Sequence, residues 1–204
     1  MKIITLSFDD GTIHDAQLID MLKTYRMPAT FFLNSGRRGN EYMSSYTPYA
    51  AHEIGSHSIN HPHISDLTLQ EVRDDKFSLE QMSGQDVVGF AYPFGEYSEE
   101  AADMAQESGM RYARTVAWNT TNFDMPKDRF AWQPTCHYSH ALKALREFNR
   151  SRTAQLFSIW GHSYEMAGIK PYDKKANWEY MYELLLELSM ADALFLTHAD
   201  VLCL

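Results

Sequence analysis

Short hydrophobic runs, separated by amphipathic stretches and polar turns, recur along the whole chain. Seven read as strands: 2–8, 29–33, 54–57, 87–92, 112–117, 155–160 and 194–197. The run Ala29-Thr30-Phe31-Phe32-Leu33 is apolar and β-rich throughout, the pattern of a strand covered on both faces. Helical spacing of Ala16, Ile19, Leu22 and Met27 predicts an amphipathic helix over 15–25. Further helices are expected over 69–82, from Ser98 to Ser108, over 140–149 and over 178–190. Thr68 is a natural cap with Glu71 in the capping-box position, and Gly109 is a natural stop. Segment 34–40 reads as a polar loop, 42–53 as holding a short helix, and 119–132 as irregular. Strands alternating with helices imply parallel β/α units, about seven in one domain spanning 1–204. The fold class is α/β, a barrel or barrel-like sheet, with chemistry at the C-terminal ends of the strands.

Composition narrows the function classes. With 18 Lys and Arg against 27 Asp and Glu, the net charge is −9. That leaves little with which to neutralise phosphates, so a nucleic-acid partner is not expected. An anionic membrane surface is disfavoured for the same reason. No apolar run is long enough to span a bilayer. The first six residues are too short for a signal-peptide core, so a cytoplasmic location is the default, extracytoplasmic if the sequence is a trimmed form. Cys136 and Cys203 match no metal or disulfide pattern and read as small core residues.

Polar clusters follow several of the predicted strands. Leu6-Ser7-Phe8-Asp9-Asp10-Gly11-Thr12 ends a buried strand on two carboxylates. Either a cation sits between them, or Asp10 or Thr12 caps the following helix. Alternation sends Asp9 and Asp10 apart unless the turn at Gly11 brings both to one pocket. His57-Ser58-Ile59-Asn60-His61 places two histidines four apart, a spacing that on a helical turn reaches one cation. With one carboxylate they make a His-His-Asp set that leaves positions open for water and substrate. His162, in Trp160-Gly161-His162-Ser163-Tyr164-Glu165, is either a general acid or a histidine satisfied by backbone. His52 and His63 read as surface residues, and His14 and His198 carry no predicted role. Trp160, Tyr164 and Trp178 are core aromatics or, at the strand-end face, sugar platforms.

Phe8-Asp9-Asp10-Gly11, His57-Ser58-Ile59-Asn60-His61, Tyr92-Pro93-Phe94-Gly95 and the segment around His162 follow one another in an order that resembles the polysaccharide deacetylases. That is the NodB-homology domain of carbohydrate esterase family 4. The resemblance implies a distorted (β/α) barrel of fewer than eight strands. It implies a metal, most often zinc (Zn2+), on Asp10, His57 and His61. It makes Asp9 the base toward a metal-bound water, the Phe94 backbone N–H an oxyanion donor, and His162 the acid for the leaving amine. Tyr92, Pro93, Trp160 and Trp178 become candidate substrate-binding residues. The implied activity is hydrolysis of N-acetyl groups on an amino-sugar glycan or oligosaccharide, so the expected partner is an acetylated carbohydrate.

The chain departs from the family pattern twice. The arginine that usually opens the third motif and braces the base is Ala91 here, with Arg114 as the candidate replacement. The Asp-Trp pair of the fourth motif is not recognisable; Asp124 lies in that part of the chain in a different context. An O-acetyl esterase or other amide hydrolase on the same metal site is an alternative. So is a non-catalytic domain that binds metal and carbohydrate. A haloacid-dehalogenase-type phosphatase would need a second aspartate where Gly11 stands.

Overall fold

The computed structural model describes residues 1–37 and 39–204. Arg38, within the expected polar loop 34–40, lies outside the described residues. Seven strands form one parallel sheet in the order β5-β4-β3-β2-β1-β7-β6. They are β1 (Ile3–Asp9), β2 (Thr30–Leu33), β3 (Glu53–Ser56), β4 (Gly89–Ala91), β5 (Tyr112–Arg114), β6 (Cys136–His137) and β7 (Leu156–Gly161). An eighth strand, β8 (Leu194–Phe195), adds to the start of β1, where Ile3 and Ile4 face Leu194 and Phe195. Helices α1 (Asp15–Thr24), α2 (Leu69–Ser83), α3 (Glu99–Glu107), α4 (Ala141–Arg150) and α6 (Trp178–Ser189) follow β1, β3, β4, β6 and β7. The short α5 (Ser163–Met166) and α7 (His198–Val201) follow β7 and β8.

The sheet curls into an incomplete barrel. Between β5 and β6 the ladder is replaced by single bridges from Arg114 to Trp132 and from Asn119 to Cys136. The expected strand 112–117 stops at Arg114, because residues from Thr115 onward bond to this connecting segment. Thr115 N–H, for instance, donates to Trp132 O at 2.9 Å.

Central strand β1 shows how the pleat sorts side chains. Ile4, Leu6 and Phe8 join the large cluster under the helices, with Leu18, Leu22, Leu184 and Leu188. Ile3 belongs to the inner cluster with Phe32, Ala91, Tyr112 and Trp132. The two-residue period therefore puts Thr5, Ser7 and Asp9 on the inner side, all buried. The barrel interior is polar for its size, which is what lets a charged pair sit there.

Several local expectations hold and several are corrected. Thr68 caps α2 by accepting from Glu71 N–H at 3.1 Å. The Glu71 carboxylate does not return to the cap; it accepts from Asn60 N–H at 3.0 Å, in the loop that carries His57 and His61. Ser98 caps α3, and Gly109 follows it at φ 77°. Segment 42–53 holds a short helix as expected, of the tight 3-10 kind, at Thr47–Ala51. Strand β6 and helices α5 and α7 have no counterpart in the expected elements. Cys136 is buried, but Cys203 is exposed rather than a core residue.

Candidate active site

Strand ends β1, β3, β4, β5 and β7 deliver their next residues to one face. Asp9 is the last inward residue of β1, 2% exposed. Asp10 then turns at φ 81° and Gly11 at φ 66°, which brings both carboxylates toward one pocket. Arg114, at the end of β5, directs one guanidinium nitrogen at both Asp9 oxygens, 2.5 and 2.6 Å away. Its side chain is fully buried over Phe32, 5.0 Å from the ring centroid. Arg114 is the register partner of Ala91 on β4. The brace expected at Ala91 therefore comes from the neighbouring strand at the same level. Burial raises the Asp9 carboxyl, but Arg114, His57 and His162 outweigh it and hold Asp9 below the ordinary carboxylate range.

Asp10, His57 and His61 each offer one ligand atom, all within 4.8 Å of one another. Their meeting is not helical, contrary to the spacing argument. The loop after β3 folds back through Ser58 at φ 64° and His61 at φ 56°. The two imidazoles meet edge to face, centroids 4.6 Å apart. His57 Nδ1 lies 2.7 Å from the Ala91 carbonyl oxygen, which can only accept, so the proton sits on Nδ1. That leaves Nε2 as a buried bare lone pair. Burial keeps the His57 ring neutral, and burial together with His57 lowers His61 to about 4. Two neutral imidazoles and a carboxylate in this arrangement fit a divalent cation with positions left open.

The loop is tied down from below. Asp75 of α2 accepts from Ser35 N–H at 2.7 Å and from Ser56 Oγ at 2.6 Å. Asn34 Nδ2 donates to the carbonyls of His57 and Ser58 at 2.6 and 2.9 Å. Four non-glycine residues with positive φ, Asp10, Ser58, His61 and Phe94, converge on this one face. Such strain persists where surrounding contacts over-determine it. Phe94, at φ 58° just after β4, stacks its ring on His63 at 4.1 Å and meets His61 edge-on at 4.3 Å.

His162 follows β7 on the opposite wall, its Nε2 3.9 Å from Asp10 Oδ2. Burial lowers this imidazole, but Glu165 and the charges of Asp9 and Asp10 prevail and raise it above its ordinary value. Asp10 and His61 open onto a cleft of about 540 Å³, lined among others by Thr12, Ile13, Tyr42, Phe94 and Tyr164. Arg37 reaches in from the loop after β2 and donates to Asp10 Oδ1 at 3.0 Å.

The structure thus gathers Asp9, Asp10, His57, His61, Phe94 and His162 as the sequence implies. It does not do so for the aromatic candidates. Tyr92 is buried, and its hydroxyl donates to Phe130 O at 2.8 Å. Pro93 is buried beside it. Trp160 is 3% exposed and donates to Ala117 O at 2.7 Å. Trp178 packs half-buried against the core. None of the four offers an open ring face; Trp118 and Tyr172 do, stacked 4.0 Å apart and 42% and 54% exposed. Asp124 is exposed, and its backbone N–H donates to Asn122 Oδ1 at 3.0 Å. His63 is exposed as expected. His52 is buried and accepts from Ala29 N–H at 3.2 Å, so its surface assignment is wrong. His198 is wholly buried, its Nδ1 3.1 Å from Thr30 Oγ1.

Comparison with known proteins settles the family. The polysaccharide deacetylase profile matches residues 1–113, more than half of the chain. The chain belongs to the polysaccharide deacetylase family. Among curated relatives, a peptidoglycan-N-acetylglucosamine deacetylase of Bacillus cereus is 30% identical over 125 residues, 58% of this chain and 57% of that protein. The chain thus spans a little over half of that relative's length. Two solved structures share the fold of this deacetylase-family chain over 99% of its length, each at 19% identity. One is a family 4 acetyl xylan esterase from Clostridium thermocellum in complex with a cobalt ion (TM-score 0.64, 91% of that chain). The other is a family 4 carbohydrate esterase from Bacillus anthracis (TM-score 0.66, 83% of that chain).

Proposed function

We propose that this chain is a divalent-metal-dependent deacetylase that hydrolyses N-acetyl groups on an amino-sugar glycan or oligosaccharide. The observation that carries the reading is the pairing of two opposed proton-handling groups across one ligand trio. Asp9 is clamped by Arg114 on one side, and His162 faces Asp10 from the other. A zinc ion on Asp10, His57 and His61 would lower the pKa of water and polarise the acetyl carbonyl.

In this reading Asp9 takes the proton of the attacking water. A carboxylate held below its ordinary range is a weak base, which suits only a water already made acidic. The new C–O bond forms as the carbonyl π pair moves onto oxygen; its return breaks the C–N bond while His162 Nε2 delivers the proton that an amine leaving group requires. The Phe94 backbone N–H, beside His61, serves the developing oxyanion. The products are acetate and the free amine.

The test is acetate release by metal-stripped protein, with and without zinc, from N-acetylglucosamine oligomers, peptidoglycan fragments, acetylated xylan and an activated acetyl ester. Zinc-dependent acetate from the amides is expected. Acetate from esters alone replaces the reading with an O-acetyl esterase. No acetate from any of them, with zinc bound, favours a binding domain. Asp9→Asn is expected to abolish turnover while zinc still binds by calorimetry; near-normal activity would remove Asp9 from the base role.

A further inference from the structure

The imidazole of His162 must present Nε2 to the cleft, and one neighbour is placed to decide that. Its Nδ1 is buried and has no hydrogen-bond partner among the described residues. The carboxylate facing it is Glu165 Oε2, 3.6 Å away, one turn along the chain at the start of α5. That distance is just beyond hydrogen-bond range, and catalytic contacts of this kind tighten in the substrate complex.

Glu165 is itself fixed from the far side. Its Oε2 lies 2.8 Å from Nε2 of His137, a wholly buried residue at the end of β6. His137 Nδ1 accepts from Ser139 N–H at 3.4 Å, so its proton is on Nε2 and points at Glu165. With a donor on one side, the Glu165 carboxylate stays ionised, and burial is outweighed by the two histidines to bring it down to about 2. It can then only accept.

We infer that Glu165, anchored by His137, is the positioning residue that keeps one proton on His162 Nδ1, so that the protonated ring gives up its second proton, the one on Nε2, to the leaving nitrogen. The inference rests on the deacetylase reading for its catalytic meaning, though not for the tautomer it assigns.

The experiment uses the full chain with ¹⁵N-labelled histidine. At a pH where His162 is neutral, its ring ¹⁵N shifts should report the Nδ1–H form in the wild type. In Glu165→Gln, whose amide can donate, they should report the Nε2–H form. An Nε2–H ring in the wild type, or the same tautomer in both proteins, overturns the inference, and the wild-type measurement stands even where the variant folds poorly. In kinetics, Glu165→Gln should lower kcat on N-acetyl sugars by roughly 10- to 100-fold with KM nearly unchanged. An activated ester, whose leaving group needs little protonation, should lose no more than about threefold. Equal losses on both substrates overturn it. So does a second bound zinc that Glu165→Gln removes, since His137, His162 and Glu165 would then be a cation site. Wild-type protein that releases no acetate from any amide ends the deacetylase reading, while the tautomer still decides the role of Glu165.

Discussion

At the scale of single residues, the backbone does as much as the side chains. Phe94 and His61 hold left-handed conformations that cost a non-glycine residue about 1 kcal/mol or more each. If Phe94 contributes its N–H, Phe94→Ala should keep kcat within a few-fold while losing ring contacts to His61 and His63. A hundredfold fall in kcat would assign the work to the ring. The motif residues were legible because chemistry restricts their types. Arg37, His137 and Glu165 were harder to read. A lone arginine in a polar loop carries no pattern, and the meaning of His137 depends on a two-residue strand. Glu165 had a faint signal, the one-turn spacing from His162. The pair of histidines at 57 and 61 was found for the wrong reason, since two positive-φ residues rather than a helix bring them together.

At the scale of elements, register explains what the motif count leaves open. Ala91 and Arg114 are cross-strand partners on the inner face, so an arginine on either strand reaches the same aspartate. Arg114→Met should leave Asp9 buried without a counter-charge, destabilising the fold by about 3–5 kcal/mol in denaturant titration. Moving the charge back, in Ala91→Arg with Arg114→Ala, should recover part of both stability and acetate release. A double variant no better than Arg114→Ala would show that the two positions are not equivalent. The long strands and helices were readable from periodicity alone. Strands β4, β5 and β6 were overextended or missed because three residues or fewer carry no period, and their ends are set by the connecting segment that bonds to them.

At the scale of the whole molecule, the barrel keeps several ionisable groups away from water, and they couple folding to pH. His198 is wholly buried, and burial lowers its ring from 6.5 to about 3. Its folded form resists the proton that the unfolded chain accepts, so its contribution is whole above pH 6.5 and is lost as pH falls toward 3. Asp15 and Asp75 are raised by burial to about 7 and about 6, and work in the opposite sense. Their contribution is whole below 3.8 and is lost as pH rises through those values. Denaturant melts from pH 7 to pH 4 should show His198→Phe gaining on the wild type by up to about 1.4 kcal/mol per pH unit. Parallel curves would mean that His198 takes up its proton in the folded state as readily as in the unfolded one. No helix among the described residues is long and apolar enough to cross a membrane.

The transfer of one guanidinium from β4 to β5 bears on how such chains are sorted by descent. A reader who tallies motif letters column by column would count the brace as missing, because the expected column holds alanine. One who tallies charges by their coordinates would count it as present. In this chain the same point in space is occupied, and the letter that fills it stands on the next strand.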